Sequence, residues 1–120
     1  MKILIADDSR VMRQIVLRTL RQAGFSGHDI VEAEDGADAF AKVQTEKPDL
    51  VLSDWNMPNK NGIDLLRDLR SSGNQVCFGF VTSEGSDAMR ATAEQAGALF
   101  LIAKPFTPEA FEEALSPVLG

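Results

Sequence analysis

The sequence predicts an α/β fold: a doubly wound, five-stranded parallel sheet with helices on both faces. Three observations carry that reading. Short apolar runs recur along the chain, amphipathic stretches with helical spacing lie between them, and Gly, Pro, Asn, Asp and Ser mark the junctions. Strands alternating with helices in this way imply right-handed crossovers and a parallel sheet.

The first apolar run, Ile3-Leu4-Ile5-Ala6, has the length of a strand and no position suited to water, the pattern of a strand covered on both faces. Ser9 can cap the helix that follows. That helix carries Val11, Ile15, Leu17 and Leu20 as apolar positions against Arg13, Arg18 and Arg21, and Gly24 can stop it. Ile30-Val31 marks the second strand. Asp35-Gly36 opens the second helix, and Pro48 closes the connection to the third strand, Leu50-Val51-Leu52. Asn61-Gly62 opens the third helix, with Ile63, Leu65, Leu66 and Leu69 as its apolar positions and Gly73 beyond it. The fourth strand is the run from Val76 to Val81. Gly79 goes against that pattern, since glycine weakens a strand, and it leaves room for a neighbouring side chain. Gly85-Ser86-Asp87 starts the fourth helix and Gly97 stops it. Leu99 to Ala103 is the fifth strand. Thr107-Pro108-Glu109-Ala110 starts the last helix with a cap, a proline and an acid in its first turn; Phe106, Ala110, Phe111 and Leu115 are apolar there.

The 120 residues fit one compact domain, residues 1–120. A net charge of -6 argues against direct nucleic-acid binding, because a phosphate backbone demands a basic face. Arg10, Arg13, Arg18 and Arg21 read as the solvated face of a helix. No stretch has the length of a membrane span, and the single cysteine, Cys77, reads as an inert core thiol, so the expected setting is the cytoplasm. The only histidine, His28, is far in sequence from the acidic residues and is assigned no role.

In open α/β sheets, ligands bind beyond the carboxyl ends of the strands. Asp7 and Asp8 follow the first strand, Asp54 the third, Thr82, Ser83 and Glu84 the fourth, and Lys104 the fifth. The second strand ends in Ala33-Glu34-Asp35, polar but with no evident task. Two unit charges about 4 Å apart repel by roughly 4 kcal/mol at an effective dielectric near 20. Asp7, Asp8 and Asp54 would therefore need a compensating cation. Mg²⁺ suits them, with Mn²⁺ as the alternative. Zn²⁺ does not, since the histidine and the cysteine fall outside the cluster. Lys104 supplies a further positive charge.

These residues carry a resemblance. Ala6-Asp7-Asp8-Ser9, Ser53-Asp54-Trp55-Asn56-Met57-Pro58-Asn59, Val81-Thr82 and Lys104-Pro105-Phe106-Thr107 resemble the motifs of response-regulator receiver domains, most closely those of the CheY-like chemotaxis type. The resemblance spans essentially the whole chain. It implies the flavodoxin-like strand order 2-1-3-4-5. It also implies a signalling switch of a two-component system rather than a turnover enzyme. In that reading Asp54 accepts a phosphoryl group from a histidine kinase or a small phosphodonor. Asp8, Asp54 and the carbonyl of Asn56 bind Mg²⁺, and Asp7 acts through a bound water. Thr82 and Lys104 engage phosphoryl oxygens, and Lys104-Pro105 is cis. The implied partners are the kinase and a downstream protein such as a flagellar-motor switch protein, with the chain itself a monomer and neither nucleic acid nor membrane involved.

One departure stands out. Relatives carry an aromatic switch residue three positions before the lysine, and here that position is Leu101. Phe100 precedes it, but adjacent strand residues face opposite sides. Asn56 and Glu84 resemble the pair that tunes phosphoryl lifetime in the chemotaxis type, and they imply self-catalysed dephosphorylation within seconds to minutes; the other reading of Glu84 is a solvated loop acid. Trp55 is expected to be partly exposed, with fluorescence that responds to Mg²⁺. Two further readings stand beside the leading one: a receiver cut from a longer regulator with a different output, and a small Mg²⁺-dependent phosphohydrolase with Asp54 as nucleophile.

Overall fold

The computed structural model describes residues 1–83 and 85–119. Among them, five strands alternate with five helices: β1 (Lys2–Ala6), α1 (Arg10–Gln22), β2 (Asp29–Ala33), α2 (Gly36–Glu46), β3 (Leu50–Ser53), α3 (Gly62–Ser71), β4 (Cys77–Thr82), α4 (Asp87–Ala96), β5 (Phe100–Ala103) and α5 (Pro108–Leu119). All neighbouring strands pair in parallel, in the order β2-β1-β3-β4-β5. This is the order the resemblance implies. No helix among the described residues is long and apolar enough to cross a membrane.

Side chains alternate across the sheet and build one core on each face. Leu4, Val51, Phe78, Phe80 and Leu101 face α2, α3 and α4, where they meet Ala39, Val43, Leu65, Leu66, Leu69 and Ala93. Ile3, Ile5, Leu50, Leu52, Val81 and Ile102 face α1 and α5, against Val16, Leu20, Phe111 and Leu115. Each large side chain fully buried in these layers contributes about 1.5–3 kcal/mol of transfer free energy. The central strands β1 and β3 are covered on both faces, whereas the edge strand β2 is mostly half-buried.

The caps fall where the sequence put them. Ser9, Asp35, Asn61 and Ser86 each accept a hydrogen bond from a backbone N–H of the first helical turn, replacing a partner those groups lack inside the helix. Gly97 ends α4 at a φ of 102°, in the left-handed region.

The apolar pattern of α1 needs correction. Val16, Thr19 and Leu20 are buried, but Val11 is 68 % exposed and Ile15 37 %. The sheet contact of α1 is set by the Val16–Leu20 spacing, and Val11 and Ile15 lie off that line. Nor is the arginine group of α1 wholly a solvated face, since the side chain of Arg13 is 14 % exposed.

Candidate functional site

The parallel register brings the carboxyl ends of β1 and β3 level, with Ala6 opposite Ser53, so the residues just beyond them meet. Asp54 is fastened to β1 by its own N–H, which donates to the carbonyl of Ala6 at 2.9 Å. One carboxylate oxygen from each of Asp7, Asp8 and Asp54 lies within 4.8 Å of the others. Asp7 is 3 % exposed, Asp54 is half-buried and Asp8 is open to solvent.

Each carboxylate is oriented. Asp7 Oδ1 accepts from the Ser9 N–H at 2.9 Å, and Asp54 Oδ1 accepts from the Trp55 N–H at 2.7 Å. The remaining oxygens face Lys104, whose Nζ lies 3.4 Å from Asp7 Oδ2 and 3.6 Å from Asp54 Oδ2. Burial holds the carboxyl of Asp7 above its ordinary pKa. The Ser9 N–H and the Lys104 ammonium oppose that shift, and the charge of Asp54 adds to it. The ammonium therefore only partly offsets the cost of holding the Asp7 carboxylate in a buried place beside Asp54. The donors are all oxygens, and one of the three carboxylates is open to water. That set fits a hard divalent cation such as Mg²⁺, which takes few protein carboxylates and keeps several waters.

Lys104 is positioned by its backbone N–H, which donates to the carbonyl of Thr82 at 2.7 Å; the Lys104–Pro105 peptide is cis. Thr82 is fully buried, and its Oγ1 has no hydrogen-bond partner among the described residues. A buried hydroxyl without a partner costs about 1–3 kcal/mol. Asn56 is exposed, and with Asp8, Met57, Pro58 and Asn61 it lines a shallow cleft beside the acids. Glu84 lies outside the described residues. Trp55 is half-buried, its ring 4.8 Å from that of Phe80.

Leu101 and Phe100 face opposite sides of the sheet, as alternation requires. Leu101 is 8 % exposed in the layer with Phe80 and Ala93, whereas Phe100 packs at the margin of the other layer. Arg90 of α4 donates through Nη1 to the carbonyl of Leu101 at 2.9 Å, and its Nε lies 3.4 Å from the carbonyl of Gly85. The arginine thus links the β4–α4 loop to β5 at Leu101.

Sequence reasoning missed two braces. Arg13 donates through Nη1 to the carbonyl of Asp7 at 2.6 Å and through Nε to Glu32 Oε1 at 2.9 Å, which ties α1 and β2 to the acid cluster. Asp35, expected only to open α2, caps that helix and also accepts from Asn59 Nδ2 at 2.7 Å. The polar residues closing β2 were the available signal; their partners lie 19 and 24 positions away along the chain.

Comparison with known proteins agrees with this fold. Residues 3–116 match the family described as the response regulator receiver domain. Over 123 aligned positions the chain is 42% identical to chemotaxis protein CheY1 of Helicobacter pylori, spanning 100% of this chain and 98% of that protein. It is 39% identical to a chemotaxis protein CheY homolog of Campylobacter jejuni, again over 100% of this chain and 93% of the relative. Among solved structures, the chemotaxis response regulator CheY4 of Vibrio cholerae superposes with a TM-score of 0.84 at 33% identity and covers 98% of each chain.

Proposed function

The chain belongs to the response regulator receiver domain family, and from that premise we propose that it is a phosphorylation switch whose phosphoacceptor is Asp54. The observation that carries this reading is the meeting of three carboxylate oxygens within 4.8 Å, with Lys104 Nζ 3.6 Å from Asp54 Oδ2.

A carboxylate oxygen of Asp54 attacks the phosphorus of the donor, and the bond from phosphorus to the donor's nitrogen or oxygen breaks, leaving the donor with that electron pair. Phosphoryl transfer is governed by positioning and by neutralising charge on the phosphoryl oxygens. Asp8, Asp54 and the carbonyl of Asn56 would hold Mg²⁺, with Asp7 engaging it through water. The ion would supply positive charge to the phosphoryl oxygens. Lys104 supplies the same from the protein side and orients Asp54. Thr82 brings a hydroxyl with no competing partner among the described residues, free to donate to a phosphoryl oxygen. The Trp55 N–H, already on Asp54 Oδ1, fixes the rotamer from which attack occurs.

Phosphorylation adds negative charge and strong acceptor oxygens. Thr82 turns toward them, and the β4–α4 loop and β5 follow, changing the face a partner meets. The chemotaxis names of the relatives support a chemotaxis-type output: a histidine kinase as donor and a downstream protein, such as a flagellar-motor switch protein, as target. Asn56 tunes the lifetime of the phosphoryl group, and a cytoplasmic monomer is the form proposed.

The test is mass spectrometry after incubation with acetyl phosphate and Mg²⁺. One added phosphoryl group, absent in Asp54→Asn and absent without Mg²⁺, is the expected result. No addition, or addition that persists in Asp54→Asn, overturns the assignment.

A further inference from the structure

The loop from β3 to α3 carries Asp54 and Asn56, and its tip stands in solvent. Asn56, Pro58 and Asn59 are all exposed. An exposed backbone carbonyl can serve as a metal ligand only if the chain on both sides of it is held. On one side Asp54 is fixed by β1. On the other, Met57 is buried in the core and the Gly62 N–H donates to the carbonyl of Trp55 at 2.7 Å; the outer anchor, which holds the exposed stretch beyond Met57, is Asn59.

Asn59 adopts a φ of 65°, in the left-handed region, which Asn tolerates better than most residues. In that conformation its amide reaches the N-terminus of α2 and donates to Asp35 Oδ2 at 2.7 Å. Asp35 Oδ1 is occupied by the Asp38 N–H at 2.7 Å, so the two oxygens of one buried carboxylate serve two tasks. Next to this bond the Gly36 N–H donates to the carbonyl of Lys60 at 3.1 Å, and a Cβ on Gly36 would lie 2.1 Å from that oxygen. The approach is possible only with glycine. Lys60 completes the seam: its ammonium stands 4.8 Å from the centre of the Phe40 ring on α2 and pairs with Asp68 on α3.

We propose that Asp35 and Asn59 are a positioning pair, which presents the Asn56 carbonyl to the divalent cation by clamping the β3–α3 loop to the start of α2. This rests on the Mg²⁺ reading above. Neither residue touches the cation; both act through the backbone between Asn59 and Asn56.

The chemistry of the pair supplies its own test. Asp35→Asn keeps the cap, since Asn and Asp cap helices about equally well. It turns an NH₂ toward the NH₂ of Asn59, a clash relieved only when Asn59 flips its amide to offer its oxygen, so this variant is the mildest of the set. Asn59→Asp sets two carboxylates face to face. In the double variant Asp35→Asn/Asn59→Asp, the amide at position 35 donates to the carboxylate at position 59, which remakes the bond in reverse with the original net charge. Asn59→Gly deletes the side chain while suiting the positive φ.

Mg²⁺ alone is titrated into each protein, with the single tryptophan, Trp55, as the fluorescent reporter. Amide hydrogen exchange of residues 56–60 is followed in the metal-free proteins. Asn59→Asp and Asn59→Gly should bind Mg²⁺ about tenfold more weakly, the low end for residues that support a metal ligand, and Asp35→Asn should lose less. Their loop amides should exchange faster. The double variant should return both readouts to the values of the unaltered chain. The two charge-changing singles remove and add one negative charge, so a purely electrostatic effect would move their affinities in opposite directions; that outcome overturns the proposal. So does unchanged affinity in the two Asn59 singles, or a double variant no better than Asn59→Asp. An unaltered chain that ignores Mg²⁺ overturns the parent reading as well.

Discussion

Phe100 lays its aromatic ring over Gly79. The two are register neighbours on β5 and β4, and a Cβ on Gly79 would lie 2.2 Å from ring atoms Cε1 and Cζ. The glycine that looked out of place in a strand is the floor of an aromatic site on the α1–α5 side of the sheet, away from Leu101. Gly79→Ala should therefore destabilise the fold by about 1–3 kcal/mol, the usual range for overpacking. The same substitution should cost much less in a Phe100→Ala background. Urea unfolding of the four proteins in the cycle measures the coupling, and additive effects would show that ring and glycine do not depend on each other.

Thr82 gives a prediction of opposite sign. Its hydroxyl is fully buried with no partner among the described residues. Thr82→Val replaces that oxygen with a methyl group of similar shape, and should stabilise the metal-free protein by about 1 kcal/mol. Acetyl phosphate should modify the variant more slowly, because a donor to the phosphoryl oxygens is gone. Denaturant midpoints and phosphorylation time courses report the two effects separately.

Asp7 carries a pKa raised chiefly by burial. For an acid whose folded pKa exceeds its unfolded value, the folded state binds the proton more tightly. The resulting stabilisation is present at low pH and is lost as pH rises from the unfolded value, about 3.9, through the folded one. At neutral pH the ionised group is a net liability to the metal-free fold. Asp7→Asn, whose amide oxygen can still accept from Ser9, should raise stability at pH 7 by on the order of 1 kcal/mol. That advantage should shrink toward pH 4, and thermal melts across the range will show whether it does.

Asp35 works in the other direction. The Asp38 N–H first, then the Asn59 amide, hold its carboxyl below the ordinary value. Its stabilisation is complete above the unfolded pKa, near 3.9, and is lost as pH falls through the lower folded value. Asp35→Ala should cost about 1 kcal/mol at pH 7, the usual worth of a helix cap. The gap to the unaltered chain should close only in strong acid, below the window in which Asp7 responds.

Much of this was readable in the chain because local rules and the global fold agree. Ser9, Asp35, Asn61 and Ser86 each cap the helix that their spacing announced, and the apolar runs mark strands to within a residue or two. Asp7, Asp8, Asp54 and Lys104 were found together because a parallel sheet puts all its strand ends on one side. The unread parts depend on what faces what. Val11 and Ile15 look like core until the axis of α1 is placed. Arg13 looks like solvent until Glu32 is beside it, and Phe100 explains Gly79 only through the register of β4 and β5.

An outermost strand offers its free backbone groups to any extended chain that drifts alongside, the usual start of unwanted assembly. On β5 a carbonyl near the middle of the strand is already taken, because Arg90 donates to Leu101 there. A strand from a second molecule would have to evict a guanidinium and leave it without that acceptor before it could add to the sheet.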